Sequence, residues 1–379
     1  MKKIGLYIHI PFCIRKCYYC DFNSRTWESQ LANEFLTALF EEIKMIANKY
    51  KYPTLKSVFI GGGTPTCLDG DALLDLLLLL KEEFKVESDS EISIEANPGT
   101  LSKNKLSLLK EGGINRLSFG VQSFNNQTLR ELGRIHTAKQ AIDNYYLARE
   151  LGFENINLDL IFALPGQKVV EWEATLRQSL KLHPNHLSTY NLKIEPGTKF
   201  ARDVDNGLLE PVSEEIDLEM YQLTMDFLTE NGYKHYEISN FARSGYESEH
   251  NRIYWRNEPY LALGPGAHFY DGDVRGSNVT SISEYINTVN SGELPIKEVN
   301  QLTREDKIVE SMILGLRLRE GISLSRFEDR FGESLDKVYG QEIKKLEKEN
   351  YIRVTSKRIT LTRRGLVLAN DVLAEFILG

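Results

Sequence analysis

Tyr7-Ile-His-Ile-Pro-Phe-Cys13-Ile-Arg-Lys-Cys17-Tyr-Tyr-Cys20-Asp-Phe22-Asn-Ser24 holds three of the four cysteines in this 379-residue chain, spaced C-x3-C-x2-C. The run directly follows an Ile-rich strand pattern at residues 3–10. A disulfide takes cysteines in pairs, and three is odd. Zinc would ask for a fourth protein ligand, often a distant Cys or His. Iron–sulfur clusters are held by closely spaced thiolates. Three thiolates on a four-iron cluster leave one iron open to another ligand. The spacing favours the cluster; a zinc site and three ordinary loop cysteines are the alternatives.

Outward from that loop, the pattern alternates. Strand-like runs at 55–60, 91–96, 116–121, 155–162 and 186–194 follow the first strand. Helix-like periodicity fills the gaps at 31–47, 71–84, 103–111, 126–132, 138–151 and 169–182. Six strand–helix units with short connections predict an α/β fold with a parallel sheet. Six are too few to close an eight-stranded barrel. The expected architecture is therefore an open, partial (β/α)6 barrel. Ligands at such sheets sit at the carboxyl ends of the strands. The cysteine loop, the run Gly61-Gly62-Gly63-Thr64-Pro65-Thr66, Glu95, Gln122 and Asp159 all fall near those ends.

Residues 201–300 are harder to read. A helix is expected at 213–231 and a strand at 237–242, and 245–270 is rich in His, Gly and aromatics. From 303 onward three helices and a two-stranded wing at 351–362 predict a winged-helix-like α+β tail. The resulting division is 1–200 for the barrel, 201–300 for a barrel-covering connection and 301–379 for the C-terminal domain.

Hydrophobic and charged fractions, 41% and 26%, are those of an ordinary globular chain. The net charge of −8 argues against general nucleic-acid affinity. The tail from Asn300 onward has fifteen Lys/Arg against thirteen Asp/Glu and shows no basic stripe. Phosphate neutralisation dominates DNA affinity, so no nucleic-acid partner is expected despite the wing. The longest apolar run, 72–80, contains Asp75 and is too short to cross a bilayer. Met1-Lys2-Lys3 leads into a strand rather than a signal peptide, and a cytoplasmic location is expected.

Several residues stand out for their chemistry. Glycines at 61–63 let a backbone approach a ligand closely. Glu95 lies in a strand expected to be buried, where a carboxylate needs a partner. His250, in His250-Asn-Arg-Ile-Tyr254-Trp255, carries an imidazole, a common axial ligand of heme iron. Cys67 reads as a bystander thiol beside a set of three that is already complete.

The C-x3-C-x2-C spacing resembles the radical S-adenosylmethionine (SAM) superfamily. Tyr7-Ile-His-Ile-Pro-Phe-Cys13 is similar to its oxygen-independent coproporphyrinogen oxidase branch, which contains both oxidases and heme chaperones. The resemblance implies a [4Fe-4S] cluster on Cys13, Cys17 and Cys20, with SAM chelating the open iron. Reductive cleavage of SAM would then yield a 5′-deoxyadenosyl radical. It also implies that Gly62, Gly63 and Thr64 bind the SAM amino group, that Tyr19 approaches the adenine and that Glu95 binds SAM. Tyr7 would reach the cluster or only the core. Gln122, Arg134 and Asp159 match positions used for a second SAM or the neighbouring substrate.

Two departures set this chain apart from the oxidases. They extend the motif to a further cysteine two residues on, where this chain has Phe22. They also carry an N-terminal extension, whereas here the first strand begins by residue 3. His250-Asn-x-x-Tyr-Trp is similar to a motif of the heme chaperones and makes His250 the candidate heme ligand, with His268 second. The expected function is heme binding and delivery to acceptor hemoproteins, some of them respiratory and at a membrane. An electron donor for the cluster and a homodimer are further expectations. The alternative is the coproporphyrinogen III dehydrogenase or another radical SAM reaction.

Overall fold

The structure, a computed structural model, describes residues 3–377. The barrel is built from β1 (Ile4–Ile10), α1 (Ser29–Lys49), β2 (Thr54–Gly62), α2 (Gly70–Glu83), β3 (Lys85–Ala96) and α3 (Lys103–Glu111). It continues with β4 (Arg116–Gln122), α4 (Asn126–Glu131), α5 (Ala138–Glu150), β5 (Asn155–Phe162), α6 (Val169–Lys181) and β6 (His186–Asn191). The connecting region holds α7 (Lys199–Asp205), α8 (Glu214–Glu230), β7 (Lys234–His235), β8 (Asn240–Ala242), α9 (Glu249–Trp255) and β9 (Tyr260–Leu263). It ends with β10 (His268–Tyr270), β11 (Val274–Asn278), α10 (Ile282–Asn290) and β12 (Ile296–Gln301). The tail contains α11 (Arg304–Gly315), β13 (Ile322–Ser323), α12 (Leu324–Phe331), α13 (Leu335–Lys348), β14 (Ile352–Val354) and β15 (Arg358–Leu361).

Among the described residues twelve strands form one sheet in the order β12-β11-β10-β9-β1-β2-β3-β4-β5-β6-β8-β7. β1 to β6 run parallel and in sequence, as the six-unit reading requires. The sheet does not stop at β1. β9 adds beside it as a seventh parallel strand, and β10 to β12 continue antiparallel. Sequence reasoning assigned no strand there, because β9 and β10 are only 4 and 3 residues long. Runs that short carry no usable period. β3 begins at Lys85, six residues earlier than its apolar segment. β6 ends at Asn191, short of the expected 194. The expected strand at 237–242 is only its last three residues, β8.

Alternation along the strands explains the layers. Leu6, Ile8 and Ile10 of β1, Ile94 of β3, Leu117 of β4 and Ile156 and Leu158 of β5 are buried on the outer face, among the apolar stripes of the helices. Each fully buried aliphatic side chain contributes about 1.5–3 kcal/mol, so this outer layer carries the stability. The residues between them point inward, and many are polar. The tail has helix–strand–helix–helix–strand–strand order around a β13-β15-β14 sheet, a winged-helix arrangement.

One buried carboxylate joins α1 to the sheet extension. Glu42 accepts hydrogen bonds from Gly264 N (2.8 Å), Asn278 Nδ2 (2.7 Å) and the Tyr285 hydroxyl (2.6 Å), and it is 1% exposed. The turn it grips passes so close to β1 that a Cβ on Gly264 would lie 2.4 Å from the His9 carbonyl oxygen. Burial pushes the Glu42 carboxyl up to about 7, against the lowering effect of its three donors. Glu42→Ala leaves those donors unpaired and is expected to cost on the order of 3 kcal/mol in denaturant unfolding. The folded state holds the Glu42 proton longer than the unfolded state does. Its contribution is therefore full below the ordinary carboxyl pKa of 4.5 and is lost as pH rises through about 7. The stability advantage of the wild type over Glu42→Gln should accordingly shrink between about pH 5 and about pH 8.

Candidate functional site

The cysteine loop is closed at its neck by a short parallel ladder between Phe12–Cys13 and Arg25–Thr26. Hydrogen bonds from Arg25 N to Pro11 O (2.9 Å) and from Trp27 N to Cys13 O (2.8 Å) complete the closure. The loop between is thereby held at the carboxyl end of β1. Cys20 N turns back on Cys17 O at 3.3 Å, and Tyr18 is fastened to Leu132 O (3.1 Å) and to Phe200 N of α7 (3.0 Å). Tyr19 packs near the Phe200 ring, with centroids 6.4 Å apart.

The glycine run at the end of β2 presses against the entrance of this loop. Gly63 N donates to Ile10 O (2.8 Å) and Thr64 N to Phe12 O (2.7 Å). A Cβ at Gly63 would sit 2.5 Å from the Phe12 carbonyl oxygen, and one at Gly62 would sit 2.6 Å from the His9 ring. Gly62 also has φ +109°, a conformation that side chains with a Cβ avoid. Thr64 Oγ1 reaches Cys13 Sγ at 3.6 Å. The sequence Gly-Gly-Gly-Thr is thus what lets the second strand end touch the cysteine loop.

Glu95, on β3, faces the same glycines and accepts from Gly62 N at 3.1 Å. Burial, with the Asp159 carboxylate next in weight, pushes its carboxyl up to about 8. Asp159, on β5, is held by Ser118 Oγ (3.0 Å) and Asn157 Nδ2 (2.8 Å), and burial raises its carboxyl as well. Arg134 donates to Cys17 Sγ (3.3 Å) and to Gly120 O (2.6 Å). Gln122 lies beside it with φ +66°, rare for a residue with a Cβ and a conformation that gathers at ligand sites.

Tyr7, Tyr19, Gly62, Gly63, Thr64, Glu95, Gln122, Arg134 and Asp159 therefore stand on the inner face or the carboxyl rim, alongside the three cysteines. His250 does not join them. Its α9 helix is gripped by Glu91 of β3, which accepts from Ser248 Oγ, Glu249 N and His250 N at 3.1–3.3 Å. Glu91 lies four residues before Glu95, so α9 enters from the amino ends of the strands. His250 is 1% exposed, stacked on Phe59 at 5.2 Å, and both ring nitrogens are engaged, by Ser57 Oγ (2.8 Å) and the Tyr254 hydroxyl (2.8 Å). Burial lowers its pKa to about 3. The expectation of His250 as an iron ligand is corrected on that ground: neither nitrogen is free and no surface of the ring is open. His268 is exposed on β10, and Cys67 is buried with its thiol directed to Phe12 O at 3.5 Å.

Sequence reasoning missed the polar inner layer itself. Arg116, Ser118, Asn157, His186 and Ser188 occupy the inward positions of β4, β5 and β6, all buried. Asn157 Nδ2 bridges Ser118 and Ser188 at 2.7 and 2.9 Å, and His186 joins Asn157 to the Tyr236 hydroxyl. His9 was missed too; its Nε2 bonds Asn23 O at 2.8 Å and ties β1 to the far side of the cysteine loop. The signal was present as an alternation of polar residues opposite the Leu and Ile positions of these strands.

The donor set fits an iron–sulfur cluster with a polar ligand beside it. Burial raises the Cys13 thiol and pushes the Cys20 thiol up to about 11, so deprotonation calls for a metal. Among the described residues no three Cys, His, Asp or Glu side chains converge on a single ion. At the rim, Gln122 Oε1 and Arg134 Nε are buried without a hydrogen-bond partner among the described residues. Such atoms are costly unless a polar ligand meets them.

Comparison with known proteins gives the same reading. A family model described as the radical SAM superfamily matches residues 7–178, and one described as the HemN C-terminal domain matches residues 302–368. The heme chaperone HemW of Bacillus subtilis (strain 168) is 42% identical over 372 residues, covering 98% of each chain. Its counterpart in Lactococcus lactis is 38% identical over 377 residues, covering 100% of this chain and 98% of the relative. Among solved structures, coproporphyrinogen III oxidase (HemN) from Escherichia coli, a radical SAM enzyme, superposes with a TM-score of 0.87 at 30% identity. The match covers 99% of this chain and 90% of that one. Taken with the cysteine loop and the rim around it, these likenesses place the chain in the radical SAM superfamily and, within its coproporphyrinogen oxidase-like branch, in the family of HemW heme chaperones.

Proposed function

We propose that this chain binds heme and passes it to acceptor hemoproteins, and that it holds a [4Fe-4S] cluster and SAM at the barrel rim. The observation that carries the reading is end-to-end likeness to proteins named heme chaperones. Phe22 supports it. It is 58% exposed at the position where the resembling oxidases carry a further cysteine.

In this reading Cys13, Cys17 and Cys20 hold the cluster. Gly62, Gly63, Thr64 and Glu95 hold SAM, and Gln122, Arg134 and Asp159 line the space beyond. Tyr7 and Tyr19 wall the site. The cluster with SAM supplies one-electron chemistry when bound. The chain's own part is electrostatic. Arg134 donates to Cys17 and offsets the charge of three thiolates, as charge-assisted hydrogen bonds do. Because the Cys13 and Cys20 thiols are held protonated by burial, loading the cluster releases protons and is weakened at low pH. An electron donor and acceptors, some of them at a membrane, complete the proposed partners. Among the described residues no helix is long and apolar enough to cross a membrane.

Two outcomes are expected. After anaerobic reconstitution, Cys17→Ser should lose its bound iron and sulfide and the absorbance of the cluster. Glu95→Ala should keep the cluster but bind SAM at least about tenfold more weakly in equilibrium dialysis. Separately, the purified chain should shift the Soret band of hemin and give heme up to an apo-hemoprotein. Incubated with coproporphyrinogen III, SAM and a reductant, it should form no protoporphyrinogen. Protoporphyrinogen formation without stable heme binding would favour the oxidase instead.

A further inference from the structure

A cavity of about 480 Å³ lies between β1, the sheet extension and α11. That volume is within the range of sites that hold a sizeable organic ligand. Its walls are chiefly the rings of Tyr7, Tyr254 and Tyr260, with Ile313 and Leu314 of α11 opposite, and His268 opens onto it. Tyr254 and Tyr260 meet edge to face at 4.6 Å. Aromatic rings facing aliphatic side chains suit a largely apolar ring system.

The charges in the cavity are already balanced. Arg275 is paired with Glu310 at 2.5 and 3.0 Å and donates to Asn257 at 3.0 Å, so it presents no free cation to a ligand. His9 also lines the cavity, but both of its nitrogens are engaged, by the Tyr7 hydroxyl (3.0 Å) and Asn23 O (2.8 Å). His268 differs: it is exposed, and its ring has no hydrogen-bond partner among the described residues. It is the imidazole in the cavity wall that can give a nitrogen lone pair to a metal.

We infer that this cavity is where the chain seats heme, in the space between the Tyr254–Tyr260 pair and α11, with His268 as the iron ligand. The inference rests on the heme-binding reading above and assigns that reading a place. It also gives the His250-Asn-x-x-Tyr-Trp segment a different part. His250 bonds the Tyr254 hydroxyl and fixes the ring that forms the wall, so it positions rather than ligates.

Hemin and iron-free protoporphyrin IX, titrated into the full-length protein, separate the possibilities. The wild type should bind both. His268→Ala should lose the histidine-ligated spectrum of hemin and at least about tenfold in hemin affinity. It should keep protoporphyrin binding, and added imidazole should restore the spectrum. Leu314→Trp, which fills the cavity, should lose both ligands while its thermal melt shows it folded. If Leu314→Trp does not fold, Ile313→Trp takes its place. Hemin binding by the wild type that neither His268→Ala nor the filling variant alters would overturn the cavity and leave the heme reading standing. No hemin binding by the wild type would overturn both.

Discussion

The whole site hangs on one close approach of two backbones. The end of β2 can donate from Gly63 and Thr64 to Ile10 and Phe12 because no side chain at 62 or 63 stands in the way. Any Cβ at Gly63 would be driven into the Phe12 carbonyl oxygen, and the ladder between β2 and the start of the cysteine loop would open. The same contact sets Thr64 beside Cys13 and brings Gly62 N to Glu95. Metal ligands, the glycine cradle and the acidic partner therefore share one small frame of hydrogen bonds. A loop of this kind would otherwise fray; here the neck ladder and the glycine contact hold both of its ends.

Around that frame the barrel reverses the usual arrangement, in which branched apolar side chains fill the interior. Its apolar face is turned outward, under the helices, where it carries the stability. Its inner face is a chain of hydrogen-bonded polar groups from Ser118 and Asn157 to His186. A polar interior is expensive unless its members satisfy one another, and most of them do. Two that do not, Gln122 at the end of β4 and Arg134 just after α4, lie on the side of the rim that faces the cysteines. The unsatisfied atoms thus mark where a ligand is needed, while the satisfied ones build the wall that holds it.

How much of this could be read from the residues follows from the range of each signal. The cysteine spacing, the glycine run and the strand–helix alternation are local, and each was legible. The helix read at 103–111 begins where Ser102 accepts from Lys105 N. The sheet extension was not legible, since β9 becomes a strand only by lying beside β1 some 250 residues away in sequence. Nor could His250 be placed. A histidine in an aromatic-rich segment reads the same whether its ring faces solvent or lies between Ser57 and Tyr254. The hydrogen bonds that decide the matter come from β2 and from Glu91 on β3, and neither is near it in sequence.

That placement changes what α9 contributes. Glu91 satisfies the N-terminal donors of α9 from inside the barrel, so the helix is an inserted plug rather than a surface loop. Helix N-termini need such acceptors, and a carboxylate there also suits the helix dipole. Once α9 is seated, Tyr254 is carried to the boundary between the barrel interior and the space under α11. Tyr7 lies on that same boundary, stacked near Phe59 and bonded to His9, whose ring packs over Gly62. From the glycine cradle to the cavity there is then one continuous wall of aromatic rings and imidazoles. A ligand on one side that moved His9 would be felt on the other, since its ring cannot shift without breaking the hydrogen bond to Asn23 O that holds the cysteine loop.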